Sequence, residues 1–354
     1  MAIKRKPPLG FAVPEFVQRA EIVREGPLGS DLAYTLDEEG LLTITGNGLM
    51  PGWADYYGIY YHRPWGTICG NITEVYISDG IINIGEGAFD VCPALTHIDI
   101  PESVIRIESN AFKYCSCLKT ITIPESVTTI GRGAFLYCQD LDNILIPNTV
   151  TKIGESAFNG CINLRKIIIS SSVTEIEDYT FHNCLQLSSI TIPDSVTRIG
   201  TWAFRGCFNL NHILIPGNVR TIAEGAFADC SRLNDITIPN SVTAIGEYAF
   251  ANCTSLASAT IPVSVLSIEN GAFTGCNSLS RITILSGVKA IGESTFANCT
   301  NLSYITIPSS VTAIGEGVFS GCDQLKHVKM PARFNKLWGF KRYYGISKDV
   351  VEFI

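Results

Sequence analysis

The chain has 354 residues, of which 46% are hydrophobic and 17% charged, with a mean hydropathy of +0.23 and a formal net charge of −7. This composition excludes a disordered chain and predicts a large buried core. The negative charge argues against nucleic acid and anionic membranes as partners, and no stretch approaches the roughly 18 apolar residues that span a bilayer.

Residues 1–30 are predicted to be an N-terminal extension, and no export signal is visible in them. The segment begins basic, but Pro7, Pro8 and Pro14 and scattered charges interrupt it where a signal peptide has an apolar core. Residues 31–68 are predicted to be an N-terminal cap. The run TLDEEGLLTITGNG contains two short strand-like stretches around Glu38–Gly40, which is consistent with a β-hairpin.

A strict 23-residue period fills residues 69–330. Eleven phenylalanines from Phe89 to Phe319 recur at this interval, each followed three positions later by a cysteine and then by a leucine. No insertion or deletion interrupts them. Such self-similarity is typical of solenoid proteins, in which each short unit buries its apolar side against its neighbours.

Each unit predicts a strand, a turn and a second apolar segment. In the unit that begins at Leu302, Ile305 and Ile307 alternate with polar residues, the pattern of a half-buried strand that Pro308 ends. The A/V-F-x-x-C segment that follows resembles one short helical turn. We therefore expect an α/β repeat solenoid, a leucine-rich-repeat horseshoe or elongated right-handed solenoid, with a parallel sheet on one face.

The same phase extends the array towards the N-terminus. Cys69 lies 23 residues before Cys92, and the apolar phases predict a twelfth strand near Thr73–Ile77. Trp65 and Tyr61 occupy core positions at which this first unit departs from the repeat pattern. The array is therefore predicted to hold about 12 units.

Twelve of the 13 cysteines share one phase of the repeat, and only Cys117 lies outside it. They form either a row of metal ligands or disulfides, or a column of small buried hydrophobic side chains. A zinc site needs four ligands that converge on one point, which one cysteine per turn does not supply. We expect buried, reduced thiols in the row, no metal or cofactor, and Cys117 as the thiol that reacts.

Residues 331–354 are predicted to be a C-terminal cap. Pro331 suits the first turn of a helix, Gly345 suits its end, and Val350–Ile354 is a candidate closing strand. One face of this helix would hold Phe334, Leu337 and Trp338.

The C-terminal segment is also basic. Its cations are Lys326, Lys329, Arg333, Lys336, Lys341, Arg342 and Lys348. They form either a basic-aromatic patch for nucleic acid, anionic glycan or lipid, or the solvent-facing side of a capping helix. We favour the capping helix, which leaves the one-sided charge unexplained.

The repeat units resemble the BspA-like leucine-rich repeats of surface proteins from gut and oral bacteria and some protists. The pattern I-x-I-P-x-S-V-T-x-I-G-x-x-A-F-x-x-C-x-x-L stands almost unaltered at Ile121–Leu141 and Ile236–Leu256, and Asp31–Met50 with Pro64-Trp65 is similar to the cap that precedes such arrays. The resemblance implies a cell-surface or secreted protein with a role in adhesion. Neither an export signal nor a wall-sorting sequence is visible, which leaves a cytoplasmic location open.

No arrangement of residues predicts catalysis. His97, His212 and His327 share an outward strand phase but lie five units apart, so about 24 Å separates neighbours at ~4.8 Å per unit. His62 and His182 lie at other phases. Loops of constant length build no pocket, and no catalytic or phosphate-binding motif occurs. We therefore do not expect an enzyme.

A regular strand array favours binding, because it presents columns of outward side chains. One column is mostly threonine but becomes apolar at Leu145, Ile168 and Leu214, and exposed aliphatic side chains are typical of contact surfaces. The alternative is that loops or lateral packing cover them. The predicted ligand-binding strand face comprises Asn143, Leu145, Lys166, Ile168, His212 and Leu214.

Secondary candidates are three aromatic residues in the two positions after the I-G dipeptide. They are Tyr179, Trp202 and Tyr248. Exposed rings there could stack on sugars. The sequence therefore predicts a non-enzymatic, adhesin-like leucine-rich-repeat module that binds protein or glycan. The alternative is a structural scaffold that organises partner proteins or self-assembles, and the oligomeric state is open.

Overall fold

A computed structural model describes residues 21–53, 63–336 and 340–354 of the chain. Tyr61, His62, Leu337 and Trp338 lie outside the described residues. The chain forms two compact units, residues 1–172 and 173–354. Each unit is a β-solenoid in which every repeat supplies strands to parallel sheets, as the period predicts.

The N-terminal cap is an antiparallel sheet that leads into the solenoid of the first unit. Its strands are β1 (Ile22–Pro27), β2 (Leu32–Asp37) and β3 (Leu41–Gly46). The predicted hairpin is confirmed, and it turns at Gly40, whose φ of +89° favours glycine. Strand β1 lies inside the predicted N-terminal extension. Strand β3 pairs in parallel with β4 (Glu74–Ile77), the predicted twelfth strand.

The x-I-x segment of a repeat, here called the first strand, pairs with the same segment of the next repeat. In the first unit these strands are β4, β6 (His97–Asp99), β9 (Asn143–Leu145) and β11 (Lys166–Ile168), with a single bridge at Thr120. In the second unit they are β13 (Ser189–Thr191), β15 (His212–Leu214), β17 (Asp235–Thr237), β19 (Ser258–Ile261), β21 (Arg281–Ile284), β23 (Tyr304–Thr306) and β25 (His327–Met330).

Each unit also has a second parallel sheet, which the sequence pattern did not predict. Its strands are two residues long, and a strand this short cannot display a period-2 pattern. In the first unit they are β5 (Asn83–Ile84), β7 (Arg106–Ile107), β8 (Thr129–Ile130) and β10 (Lys152–Ile153). In the second unit they are β12 (Glu175–Ile176), β14 (Arg198–Ile199), β16 (Thr221–Ile222), β18 (Ala244–Ile245), β20 (Ser267–Ile268), β22 (Ala290–Ile291) and β24 (Ala313–Ile314).

The A-F-x-x-C segment is a chain of tight turns, so the expected helical turn in each repeat is wrong. Ala134 N and Cys138 N donate to carbonyls three residues back. Phe135 N, between them, donates at 2.8 Å to Ala157 O of the next repeat. Because alternate N–H groups point to the neighbouring repeat, a continuous helix cannot form.

Stacked aromatic rings form the centre of each core. In the first unit, Trp65 stacks on Phe89 at 6.1 Å, and successive phenylalanines up to Phe158 follow at 5.3–5.4 Å between ring centroids. In the second unit, Phe181 to Phe319 stack at 5.2–6.1 Å. The rings are fully buried, so this column combines apolar burial with aromatic contacts worth about 0.5–1.5 kcal/mol per pair.

The cysteine row lies beside the rings, and its thiols are free. Cys138 Sγ donates to Phe112 O at 3.1 Å, and Cys230 Sγ donates to Phe204 O at 3.2 Å, one repeat earlier. Burial raises the pKa of thiols such as Cys161, which keeps them protonated. Eleven of the twelve in-phase cysteines are buried, but the expectation is wrong for Cys69, which is half-buried.

The C-terminal cap closes the second unit. After Pro331, a 3₁₀-helix covers Ala332–Lys336 and helix α1 covers Phe340–Tyr344. Gly345, with φ of +81°, ends α1. A 3₁₀-turn at Lys348–Val350 then leads into β26 (Val351–Phe353), which pairs in parallel with β25 and confirms the predicted closing strand. Phe334, Phe340 and Tyr344 are buried beneath this cap.

Every repeat from Ile84 onward has a residue in the left-handed conformation three positions after the isoleucine that ends its second strand. Glycine occupies this position at Gly133, Gly225 and Gly271, with φ between +57° and +60°. Ser156 occupies it with φ of +58°. A side chain is disfavoured there, because Cβ crowds the following carbonyl oxygen.

Replacing Phe204 with alanine should lower the free energy of unfolding by about 3–5 kcal/mol, because it leaves a cavity in the ring column. Phe204 is fully buried and stacks at 5.3 Å on each neighbouring ring. Urea unfolding measures the loss, and hydrogen exchange should quicken in the repeats on both sides. The control is Phe208→Ala, at a phenylalanine that is 45% exposed. Exchange that quickens in a single repeat would show weaker coupling than the stacking implies.

Replacing Ser156 with glycine should raise the free energy of unfolding by about 0.5–1 kcal/mol, since glycine adopts the left-handed backbone without the Cβ clash. The matched control is Ser189→Gly in the extended strand β13, which should lower stability by about 0.5–1 kcal/mol. Thermal and urea unfolding of both variants measure the two signs. A loss of stability at both positions would contradict the argument from φ.

Candidate functional site

The first unit brings four of the six predicted strand-face residues together. Strands β9 and β11 pair in parallel, with Asn143 opposite Lys166 and Leu145 opposite Ile168. The central Ile144 and Ile167 of the two strands are buried, so the alternation of a strand directs their flanking residues outward.

Leu145 and Ile168 form an exposed aliphatic pair, here called the strand-face patch. They are 57% and 49% exposed, so neither loops nor lateral packing within the described residues cover them. Neighbouring parallel strands lie about 4.8 Å apart, which puts the two side chains in contact range. The pair therefore presents continuous apolar surface to solvent.

Polar and charged groups border the strand-face patch. Asn143 Nδ2 donates to Asp142 Oδ2 at 2.9 Å, and Arg165 Nε lies 3.5 Å from Asp142 Oδ1. Lys166 is exposed beside them on β11. An apolar centre with a polar rim is the usual anatomy of a protein–protein contact.

The other two strand-face residues, His212 and Leu214, lie on β15 in the second unit. There Leu214 pairs with Thr237 of β17 and His212 pairs with Asp235. Leu214 is 65% exposed and is flanked by threonines on the strands to either side. It is a single aliphatic residue in a polar surface, unlike the pair in the first unit.

The three secondary candidates occupy the left-handed position of their repeats. Tyr179, Trp202 and Tyr248 have φ of +58°, +54° and +54°. A Cβ added at Gly225 would lie 2.0 Å from the Trp202 ring, and one at Gly271 would lie 2.4 Å from Tyr248. These two rings therefore cover the bare backbone of the next repeat, which gives them a packing role.

Further contacts hold the aromatic side chains in place. The Arg205 guanidinium lies 4.8 Å from the centre of the Trp202 ring, within range of a cation–π contact. Tyr179 makes an edge contact with His182 at 5.8 Å, and burial lowers the pKa of His182. Tyr248 remains 39% exposed.

The structure adds one exposed apolar cluster that the sequence analysis missed. Val263, Leu266 and Leu285 are 55%, 54% and 37% exposed, in the turns that follow β19 and β21. Most other repeats have a polar residue or proline at the same phases. Comparing each phase of the turn across repeats would have found them, whereas the search of strand columns could not.

Several of the basic residues near the C-terminus have partners. Lys329 Nζ lies 3.2 Å from Glu352 Oε2, and Arg333 Nη2 donates to Ser309 O at 3.1 Å. Lys348 Nζ lies 5.8 Å from the centre of the Phe353 ring. These contacts give part of the basic segment a role in the C-terminal cap.

Among the described residues, the other charged side chains form small surface groups, the largest being Arg198 with Glu175, Glu177 and Asp178. His97 Nε2 lies 3.1 Å from Asp99 Oδ1, and both side chains are exposed. Within residues 21–53, 63–336 and 340–354, no three or more histidine, cysteine or acidic side chains are grouped for a metal ion. Among the same residues, no helix combines the length and apolar character needed to cross a bilayer.

Solved structures similar to this chain include bacterial leucine-rich-repeat proteins. One from Bacteroides ovatus has 26% identity and a TM-score of 0.61, covering 92% of this chain and 98% of that chain. A leucine-rich cell surface protein from Faecalibacterium prausnitzii has 29% identity and a TM-score of 0.54, with 89% of each chain covered. One from Eubacterium ventriosum has 26% identity and a TM-score of 0.51, covering 92% of this chain and 99% of that chain.

The comparison with curated proteins gave no match. The family model of the BspA type leucine rich repeat region matches residues 67–186, 128–257 and 221–339, which together extend from residue 67 to residue 339. This agrees with the repeat pattern, the stacked first strands and the solved structures. The chain belongs to the family of proteins with BspA-type leucine-rich repeats.

Proposed function

We propose that this chain is a non-catalytic, adhesin-like module that binds a protein ligand through the first strands of its first unit, at a cell surface. The observation that carries the proposal is the strand-face patch, two adjacent aliphatic side chains that are about half exposed on a parallel sheet. Apolar surface left in water becomes favourable when a partner covers it, by roughly 25 cal/mol per Å².

The chemistry of the patch favours protein over glycan. Sugars stack on the faces of aromatic rings, and the strand-face patch contains only Leu145 and Ile168. The aromatic rings of Trp202 and Tyr248 already cover the glycines of the following repeats. A protein ligand can cover the aliphatic centre and pair with Asn143 and Lys166 at its rim.

Display at a cell surface is part of the proposal. The structure from Faecalibacterium prausnitzii is described as that of a cell surface protein, and it covers 89% of this chain at 29% identity. A surface module needs a face that solvent and ligand can reach, and the outward side of β9 and β11 provides one.

The proposal includes no catalytic step, because the outward columns do not gather unlike groups at one place. His212 and His327, for example, stand five repeats apart in the second unit. The alternative of a self-assembling scaffold has less support, since strands of the described residues flank both the first and the last repeat of the array. Strands β1 to β3 cover the first repeat, and β26 with α1 covers the last.

The double variant Leu145→Asp, Ile168→Asp should lose protein ligands while the midpoint of thermal unfolding stays within a few degrees. Both positions point outward, so the buried Ile144 and Ile167 are undisturbed. The measurement probes a protein and glycan array with the purified chain and the variant. Protein spots that bind the wild-type chain should show no binding of the variant.

A matched control adds the same charge elsewhere on the sheet. Thr237→Asp with Thr260→Asp changes two exposed first-strand positions in the second unit and should retain the protein spots. Leu214→Asp tests the β15 position separately. Protein binding that survives the double variant would refute the strand-face site, and signals confined to glycan spots would refute the ligand class.

A further inference from the structure

The first thiol of the cysteine row has a hydrogen-bonding pattern that later ones do not share. In the first unit, Cys115 Sγ donates to Phe89 O at 3.1 Å, and Cys138 and Cys161 repeat the pattern. By the same spacing, the acceptor for Cys92 would be the carbonyl of Gly66. Cys69 Sγ already donates to that oxygen, at 3.2 Å.

Cys92 does not share the acceptor of the later thiols. Its Sγ lies 4.0 Å from Asp90 O, a long hydrogen-bond distance. Cys69 and Cys92 hold the same phase of adjacent repeats, and parallel neighbours stack about 4.8 Å apart. A disulfide needs Cα atoms roughly 4.4–6.8 Å apart, so the stacking brings this pair within range.

A buried cation stands beside the pair. Arg63 is 4% exposed, its Nη1 donates to Gly87 O at 3.0 Å, and Nη2 donates to Asp90 O. Its Nε has no hydrogen-bonding partner among the described residues. An unpaired buried donor with a positive charge makes negative charge on the neighbouring Cys69 sulfur favourable.

These neighbours set the ionisation of Cys69. The adjacent Cys92 thiol, together with the charge of Arg63, outweighs partial burial and lowers the pKa of Cys69 to about 6. Burial raises the pKa of the Asp90 carboxyl to about 6, against the charges of Lys113 and Arg63. Cys69 therefore ionises more readily than the buried thiols of the row, and on ionising it gives up its hydrogen bond to Gly66 O.

Exposure separates the two members of the pair. Cys69 is half-buried at the start of the row, whereas Cys92 is 0% exposed. Burial raises the pKa of the deeper thiols, including Cys115 and Cys138, so they are protonated and shielded. A small oxidant in solution reaches a thiolate only at Cys69 within this row.

We propose that Cys69 is a peroxide-reactive thiol and that Cys92 resolves its oxidation product as a Cys69–Cys92 disulfide. The Cys69 thiolate attacks one oxygen of hydrogen peroxide, an S–O bond forms, the O–O bond breaks, and the leaving hydroxide takes a proton to become water. Cys69 is then a sulfenic acid. The Cys92 sulfur attacks it, the S–S bond forms, and hydroxide leaves with the Cys92 proton as a second water.

The test treats the reduced full chain with hydrogen peroxide at neutral pH, then blocks the remaining thiols with iodoacetamide in denaturant. Digestion uses an endoproteinase that cleaves after glutamate, because no lysine or arginine lies between Arg63 and Arg106. Mass spectrometry should find the Cys69 and Cys92 peptides linked, with two hydrogen atoms lost, and dithiothreitol should separate them. Absence of the link, or prior oxidation of Cys117, would overturn the proposal.

Variants separate the two roles. Cys92→Ser should accumulate a sulfenic acid at Cys69 that dimedone traps, whereas Cys69→Ser should leave Cys92 reduced. The matched control is Cys138→Ser, which lies in the same row between buried thiols and should leave the Cys69–Cys92 link unchanged. No dimedone adduct in folded Cys92→Ser would refute the order of the steps.

One measurement does not depend on any variant folding. The rate of iodoacetamide alkylation at Cys69 in the native wild-type chain should rise with pH and reach half its plateau near pH 6. The reagent reports the thiolate fraction directly. Labelling that is negligible at Cys69, or that rises only in alkaline solution, would overturn the assignment of Cys69 as the reactive thiol.

Discussion

The structure depends on one constraint: each repeat must satisfy its backbone hydrogen bonds against the repeat beside it. In the turn segment, alternate N–H groups close turns within the repeat, and the others donate to the next repeat, as Phe135 N does to Ala157 O. Adding or removing one residue would shift every later group and leave buried donors unpaired, which costs a few kcal/mol each. This explains why eleven phenylalanine-centred repeats keep an identical length.

The same constraint explains residue choices that look like simple packing. Small side-chain donors from the next repeat add hydrogen bonds to the carbonyl oxygens of the turns. Cys138 Sγ donates to Phe112 O, which also accepts from Cys115 N, and Ser126 Oγ donates to Val104 O at 2.6 Å. Cysteine combines an apolar body with a weak donor, so it fits a buried column better than a hydrocarbon side chain of similar size would.

The sequence was sufficient to predict the architecture because its main determinants recur. Sequence patterns predicted the strict period, the hairpin at Gly40, the strand at Glu74–Ile77 and the closing strand Val351–Phe353. The second sheet was not, since its two-residue strands are too short for periodicity. The turn segment was mistaken for helix because Phe and Cys three apart suit either conformation until the partners of the N–H groups are known.

The candidate surface was only partly predictable. The outward phases of Leu145 and Ile168 follow from strand alternation, and their adjacency follows from the common register of β9 and β11. Sequence phase could not show that the rings of Trp202 and Tyr248 lie over glycines, which requires their left-handed backbone. The repeat phase also could not predict that the cysteine row ends next to the N-terminal cap, where Cys69 is half-buried beside Arg63.

The size of the strand-face patch sets how a ligand can use it. A stable protein contact buries about 800 Å² on each partner, far more than two aliphatic side chains supply. The remaining area must come from polar residues on or beside the same strands, such as Asn143 and the Asp142–Arg165 pair. Exposed ion pairs add little affinity but penalise mismatched partners. Leu145 and Ile168 would then supply most of the binding free energy, while the rim around them selects which protein is bound.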